Sequence, residues 1–224
     1  MKVIVTGSYG IIGKKIVSDL KKSAKFKVLE LDLQLGNDLT NEKEVKEYFN
    51  DNKAEGLINC FAINDHITGK NNKGTFLDYS LKNFSKTLDI NVTALFSVCR
   101  EFIRNNNSGK IINFSSIYGL RSPRPSFYEN NYKNPAYGPS KAAVSNLTKY
   151  LAVHANNFNI NCIVPGGIEN DQPIKFKKKY IEDLPLKRLM NKNEILGLVK
   201  YLLSAESSYC TGSEFLIDGG WNAR

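Results

Sequence analysis

Tyr137 and Lys141 stand four residues apart in Tyr137-Gly138-Pro139-Ser140-Lys141. On a helix that spacing projects both side chains from one face. An ammonium ~5 Å from a phenol, at an effective dielectric of ~20, favours the phenolate by roughly 3 kcal/mol. The phenol's pKa of about 10 would then fall by about two, into the range where a tyrosine exchanges protons near neutrality. In a chain with 11 tyrosines one such pair is expected by chance, so its meaning comes from its neighbours.

The chain opens on a β-branched run, Val3-Ile4-Val5-Thr6, that meets Gly7-Ser8-Tyr9-Gly10-Ile11-Ile12-Gly13 and then a helical stretch. Glycines at 7, 10 and 13 let backbone approach a pyrophosphate, which sits on the dipole of the following helix. Nineteen residues after Gly13 a second apolar run ends at Asp32. An acid there accepts hydrogen bonds from a ribose 2′-hydroxyl and repels a 2′-phosphate. No Lys or Arg lies between Asp32 and Lys43, so the reading favours NAD(H) over NADP(H).

Three further pieces follow. Leu57-Ile58-Asn59-Cys60-Phe61-Ala62 is a short buried-strand pattern, and Asn91 lies on an otherwise apolar helix. Gly109-Lys110-Ile111-Ile112-Asn113-Phe114-Ser115-Ser116 runs into a serine pair at the strand end where open parallel sheets bind ligands.

Together these pieces resemble the short-chain dehydrogenase/reductase family over nearly the whole chain. The resemblance implies that Tyr137 is the acid/base and that Lys141 lowers its pKa and holds the nicotinamide ribose. It implies that Ser116 hydrogen-bonds the substrate oxygen and Asn91 holds a water of the proton relay, although Asn91 could instead only tie backbone together. The family's adenine-pocket acid falls on Asp38, next to Leu39, and its nicotinamide-edge turn on Pro165, Gly166, Gly167 and Ile168. The glycine turn (Gly7, Tyr9, Gly10, Ile11, Ile12, Gly13), Asp32, and Asn59, Phe61 and Ala62 complete the implied cofactor contacts.

The sequence departs from the family in several places. Asn59-Cys60-Phe61-Ala62 replaces Asn-Asn-Ala-Gly, and Asn170 stands where many members carry Thr. Five residues separate Asp32 from Asp38, too few for a parallel crossover. The helix between strands 2 and 3 is therefore expected to be missing and strand 3 vestigial or absent. Twenty residues, Ile117 to Ala136, separate Ser116 from Tyr137; this insert is read as a substrate wall. Its Arg121 and Arg124, with Lys175 and Lys177 to Lys179 in a lid at about 169–190, are read either as a basic rim for an anionic substrate or as a solvated charge run, and Tyr128 of the insert as a substrate contact. His66 is read as a loop histidine, solvated or touching substrate.

At 224 residues and 42% hydrophobic content the chain is expected to form one α/β domain, a Rossmann-type doubly wound parallel sheet. Helices are expected near 10–22, 41–52, 79–105, 136–157 and 191–203, and strands near 2–6, 26–32, 56–60, 109–115, 159–164 and 213–217. No apolar run of 18 or more residues occurs, so no membrane span is expected. The first strand begins at residue 2 or 3, so no signal or transit peptide is expected. The four cysteines are isolated and read as buried thiols of a reducing cytoplasm. No metal-ligand spacing occurs. Net charge is +9 without a nucleic-acid reading motif.

The insert and Pro165 to Pro173 resemble a subgroup of flagellin-glycan and surface-polysaccharide pathways, whose substrates are acidic or nucleotide-linked sugars. The expectation is an NAD(H)-dependent oxidoreductase on such a sugar. A ketoacyl carrier-protein reductase and a non-catalytic NAD-sensing protein are the alternatives. The apolar run Phe215 to Ile217, before Trp221, resembles a family assembly segment, so a homodimer or homotetramer is expected.

Overall fold

In the computed structural model, which describes residues 1–64, 75–128 and 132–223, six short apolar runs become the strands of one parallel sheet. They are β1 (Lys2–Thr6), β2 (Lys27–Leu31), β3 (Gly56–Asn59), β4 (Gly109–Phe114), β5 (Phe158–Pro165) and β6 (Glu214–Ile217). The strand order is β2-β1-β3-β4-β5-β6. The order turns between β1 and β3, the place where doubly wound sheets open a crevice for ligands. After β2 a single 3₁₀ turn, Leu33–Leu35, leads to α2 (Glu42–Asp51). Neither a helix nor a strand intervenes between β2 and α2, so β2 is a sheet edge.

Helices cover both faces. α1 (Ile11–Lys21) and α8 (Ile195–Leu203) bury Ile16, Leu20, Val199 and Leu202 against Val3, Val5, Ile58 and Ile163. On the other face α2, α4 (Ala94–Asn105) and α6 (Tyr137–His154) bury Phe49, Val98, Phe102 and Val144 against Ile4, Leu57, Ile111 and Ile160. Inner strands buried on both faces are continuously apolar, which is why these runs do not alternate.

The stretch expected as one helix over 79–105 is three segments: α3 (Leu81–Leu88), a π-helical turn at Asp89–Thr93, and α4. Asn91 sits inside that turn. Two further helices were not expected, α5 (Ile117–Leu120) in the insert and α7 (Ile174–Glu182) in the lid. They close over a third, smaller apolar cluster of Ile117, Phe127, Tyr180, Leu184, Leu189 and Trp221. No helix among the described residues is long and apolar enough to cross a membrane.

Candidate active site

The glycine turn links β1 to α1. Gly7 has φ +64°, and a Cβ there would lie 2.4 Å from the backbone nitrogen of Phe61. A Cβ on Gly13 would lie 2.0 Å from the Gly7 carbonyl oxygen. Only glycine fits either place. α1 begins at Gly10 without a side-chain cap or an acid in its first turn, so its amides and positive dipole end face outward. The Ser8 hydroxyl, 1% exposed, has no hydrogen-bond partner. An orphaned buried donor beside an uncapped helix start fits a phosphate oxygen.

Asp32 closes this turn. One carboxylate oxygen accepts from the Tyr9 amide at 2.9 Å and the other from the Gln34 amide at 2.9 Å. The carboxylate is thereby fixed beside the first helix turn. Asp38 accepts from the Thr40 amide at 2.9 Å and hydroxyl at 2.7 Å, and these bonds hold its carboxyl below the usual range. Leu39 packs into the α2 side of the core.

Asn59 behaves differently from expectation. Thr6 Oγ1 donates to Asn59 Oδ1 (2.9 Å), Asn59 Nδ2 to Asn113 Oδ1 (2.9 Å), and Asn113 Nδ2 to Thr148 Oγ1 (3.0 Å). The Asn59 side chain is thus committed inside the sheet as an internal strut. Sequence reasoning missed this chain of bonds. Its signal is a Thr or Asn at the same level of three adjacent strands, since Thr6 pairs with Asn59 and Asn59 with Asn113. Phe61 packs on the core and Ala62 is exposed.

At the carboxyl end of β4, Ser115 Oγ donates to the Lys141 carbonyl (2.7 Å) and Ser116 caps α5, accepting from the Tyr118 amide at 3.2 Å. These bonds dock α6 on the strand end and bring Ser116, Tyr137 and Lys141 together. The Lys141 ammonium lies 5.9 Å from the Tyr137 ring centre and donates to the Phe114 carbonyl at 2.8 Å.

The expected lowering of the tyrosine's pKa is reversed. Burial raises Tyr137, while the nearby Ser116 hydroxyl pulls it down. Burial also depresses Lys141 to about 8. Both groups lose water, and the ammonium is turned to a carbonyl, so desolvation outruns their attraction.

Asn91 Nδ2 donates to the Ile63 carbonyl (3.0 Å) and Ser140 Oγ (3.0 Å), and its Oδ1 accepts from the Ile63 amide (2.8 Å). Its side chain ties the end of the β3 loop to α6. Pro165 ends β5. Gly167 donates to the Tyr180 hydroxyl at 2.7 Å and accepts from the Met190 amide at 2.9 Å. Ile168 bridges to Met190. The turn expected at the nicotinamide edge is therefore held by the lid.

Arg121, Arg124, Lys177 and Lys179 of the expected basic rim have partners within the chain. Arg121 donates to the Asn222 carbonyl at 3.2 Å. Arg124 pairs with Asp183 and lies 5.8 Å over the Trp221 ring. Lys177 pairs with Glu169 at 3.6 Å, and Lys179 donates to the Ser126 carbonyl at 2.9 Å. These side chains bind the insert, lid and carboxyl terminus to one another. Lys175 remains exposed. Trp221 stacks on Tyr180 (4.6 Å, 15°) and serves the chain's own core. Leu216, 47% exposed, stays open on β6. Tyr128 donates its hydroxyl to that of Tyr118 at 3.1 Å, and the Lys133 ammonium sits 4.8 Å over the Tyr137 ring. His66 lies outside the described residues. Among the described residues no group of three His, Cys, Asp or Glu gathers as a metal site.

A parallel sheet with a glycine turn at its switch point and a Ser–Tyr–Lys cluster on the same edge defines a dinucleotide-dependent oxidoreductase. Residues 2–222 match the family model described as enoyl-(acyl carrier protein) reductase, and the chain belongs to the short-chain dehydrogenase/reductase family, whose members use nicotinamide cofactors. It is 27% identical to a 3-oxoacyl-[acyl-carrier-protein] reductase of Aquifex aeolicus, covering 97% of this chain and 86% of the relative. It is also 27% identical to post-translational flagellin modification protein A of Campylobacter coli, over 98% and 97%. The crystal structure of a short-chain dehydrogenase from Leptospira borgpetersenii with bound NAD+ superposes with a TM-score of 0.85 at 30% identity, over 98% and 92%.

Proposed function

We propose that this oxidoreductase uses NAD(H) and acts on a secondary alcohol or ketone of an acidic or nucleotide-linked sugar. The observation that carries the chemistry is the meeting of Ser116, Tyr137 and Lys141 at the sheet edge beside the glycine turn. The bound cofactor supplies or accepts the hydride. Ser116 holds the substrate oxygen, and Tyr137 gives a proton to that oxygen in reduction or takes it in oxidation. Lys141 holds the ribose and passes the proton onward, with Asn91 fixing the backbone beside it.

Ser8 and the first amides of α1 take the pyrophosphate, and Asp32 takes the adenosine ribose. Asp38 and Leu39 flank the adenine, while Phe61, Ala62 and Pro165 to Ile168 line the nicotinamide end. The fixed Asp32 carboxylate supports NAD(H), because it would face a 2′-phosphate as a like charge. Likeness to the flagellin modification protein supports the sugar. The Aquifex relative favours a second reading, reduction of a ketoacyl thioester on an acidic carrier. The whole is tested by NADH- and NADPH-linked turnover of nucleotide sugars, acidic sugars and a ketoacyl thioester, with Tyr137→Phe as control. Turnover of the thioester alone overturns the sugar reading, and tyrosine-independent turnover overturns the chemistry.

A further inference from the structure

We propose that Lys133, in the insert, is a second cationic positioning residue for Tyr137, holding its ring and favouring its deprotonated form; the inference rests on the reading of Tyr137 as acid/base. The Lys133 ammonium stands 4.8 Å from the Tyr137 ring centre, against 5.9 Å for Lys141. It also stands 6.0 Å from the ring centre of Tyr118. Its place is set by a hydrogen bond to Asn64 Oδ1, on the loop after β3. The contact therefore joins three parts of the site: the β3 loop, the insert and the first turn of α6.

Lys141 is poorly placed to do this alone. Its ammonium is drawn to the Phe114 carbonyl at 2.8 Å, and burial has eased its hold on the proton. An ammonium within 6 Å of an aromatic face is attracted to the neutral ring. The attraction becomes that of two full charges once the phenol ionises, so it favours the ionised form.

Among the described residues the groups facing Tyr137 are Ser116, Tyr118, Tyr128, Lys133 and Lys141, and none of them is an acid. Burial holds Tyr128 at about 12 and Tyr118 higher still. Cys60 and Cys162, which face Lys141, are likewise raised by burial. Among the described residues the two lysines are thus the charged groups at this phenol.

The test is a pH titration of the near-ultraviolet tyrosinate band, needing neither substrate nor cofactor. Subtracting the curve of Tyr137→Phe from that of wild type isolates Tyr137. The same subtraction is made in the Lys133→Met and Lys133→Arg backgrounds. Lys133→Met is expected to raise the Tyr137 midpoint by about one pH unit or more, the range for an opposite charge at this distance. Lys133→Arg should return it close to wild type. Asn64→Ala, which removes only the anchor, should shift it less in the same direction and serves if Lys133→Met does not fold. An unmoved midpoint in the charge-removing variant, or in Asn64→Ala where that variant does not fold, overturns the inference, whatever happens to the thermal midpoint. An active Tyr137→Phe enzyme would instead overturn the catalytic reading while leaving this coupling measurable.

Discussion

The two sides of the sheet's carboxyl edge are built on different principles. On the β1–α1 side, backbone does the work: Gly7 and Gly13 pack against main chain, α1 starts uncapped, and Ser8 and Asp32 are the side chains presented. On the insert and lid side, side chains do the work. Phe127, Tyr180 and Trp221 pack with ring centres 4.6–5.8 Å apart. Arg121, Arg124 and Lys179 stitch the outer surface. A backbone cradle suits a ligand of fixed shape, whereas a side-chain roof can be rebuilt for one substrate after another. The comparison predicts that mutations on the two sides fail in different ways.

The largest effect is expected where the two sides meet. Tyr137→Phe should lower kcat by 10²–10⁴-fold, the usual contribution of a positioned acid/base, while NADH binding stays within a few-fold of wild type. Single-turnover kinetics and fluorescence titration of NADH check both halves. Loss of NADH binding would place Tyr137 on the cofactor side instead.

On the roof side Trp221→Ala should act through folding. Trp221 is 7% exposed, and truncating a buried tryptophan costs about 3–5 kcal/mol. At roughly 2–4 °C per kcal/mol for a chain of this size, Tm should fall by about 6–20 °C. Calorimetry tests this, and a Tm within a degree or two of wild type would deny that the third apolar cluster holds the lid.

Lys141 is the point where function opposes stability. Its folded pKa of about 8 lies below the ordinary 10.5. Below pH 8 both folded and unfolded chains keep the proton, so the cost of burying the charge is fully present. Between about 8 and 10.5 the unfolded chain holds a proton that the folded one has lost, and stability rises with pH. The difference of 2.5, at ~1.4 kcal/mol per pH unit, amounts to about 3 kcal/mol. Lys141→Met should therefore look most favourable, relative to wild type, near pH 7 and lose that advantage by pH 10. A Tm difference independent of pH would refute the buried charge.

On the cradle side the expected effect is one of selectivity. Wild-type kcat/KM should favour NADH over NADPH by about tenfold or more, near 1.4 kcal/mol. Asp32→Asn should shrink that ratio without greatly changing Tm. Equal efficiency with the two cofactors in wild type would mean that Asp32 does not face the ribose.

Much of this division was legible in the chain, and for physical reasons. Strands are apolar runs closed by turn residues, so all six were bounded within one residue and the lost strand 3 followed from a spacing too short to cross over. The cradle was legible because backbone contacts impose glycine. The roof was not. Phe176 and Tyr180, four apart, were the signal for α7, but the lysines around them read as a basic rim or a solvated run. The turn at Asp89–Thr93 was hidden because it leaves the apolar periodicity of 79–105 nearly intact. The sign of the Tyr137 shift needs burial, which spacing alone does not give. The pairing of Arg124 was hidden because its partner, Asp183, lies 59 residues away.

That pairing yields the smallest and most discriminating prediction. If Arg121 and Arg124 were anion hooks, replacing both by alanine would raise KM for an acidic substrate and spare stability. As the contacts stand, Arg121 serves the Asn222 carbonyl and Arg124 serves Asp183 and the Trp221 ring. Both are surface interactions. An exposed ion pair contributes about 0–1 kcal/mol, and an exposed cation over an aromatic ring about 0.5–1 kcal/mol. Arg124→Ala should thus lower Tm by only a few degrees, and by less in high salt, where the ion pair is already screened. Adding Arg121→Ala should add little, because one hydrogen bond to a carbonyl is worth about 1 kcal/mol at most net. KM should stay close to wild type for acidic and neutral substrates alike, since neither guanidinium is directed at the Tyr137 cleft. A KM that rises for the acidic substrate alone, with Tm unchanged, would return the two arginines to the substrate and leave the roof held by its aromatic cluster.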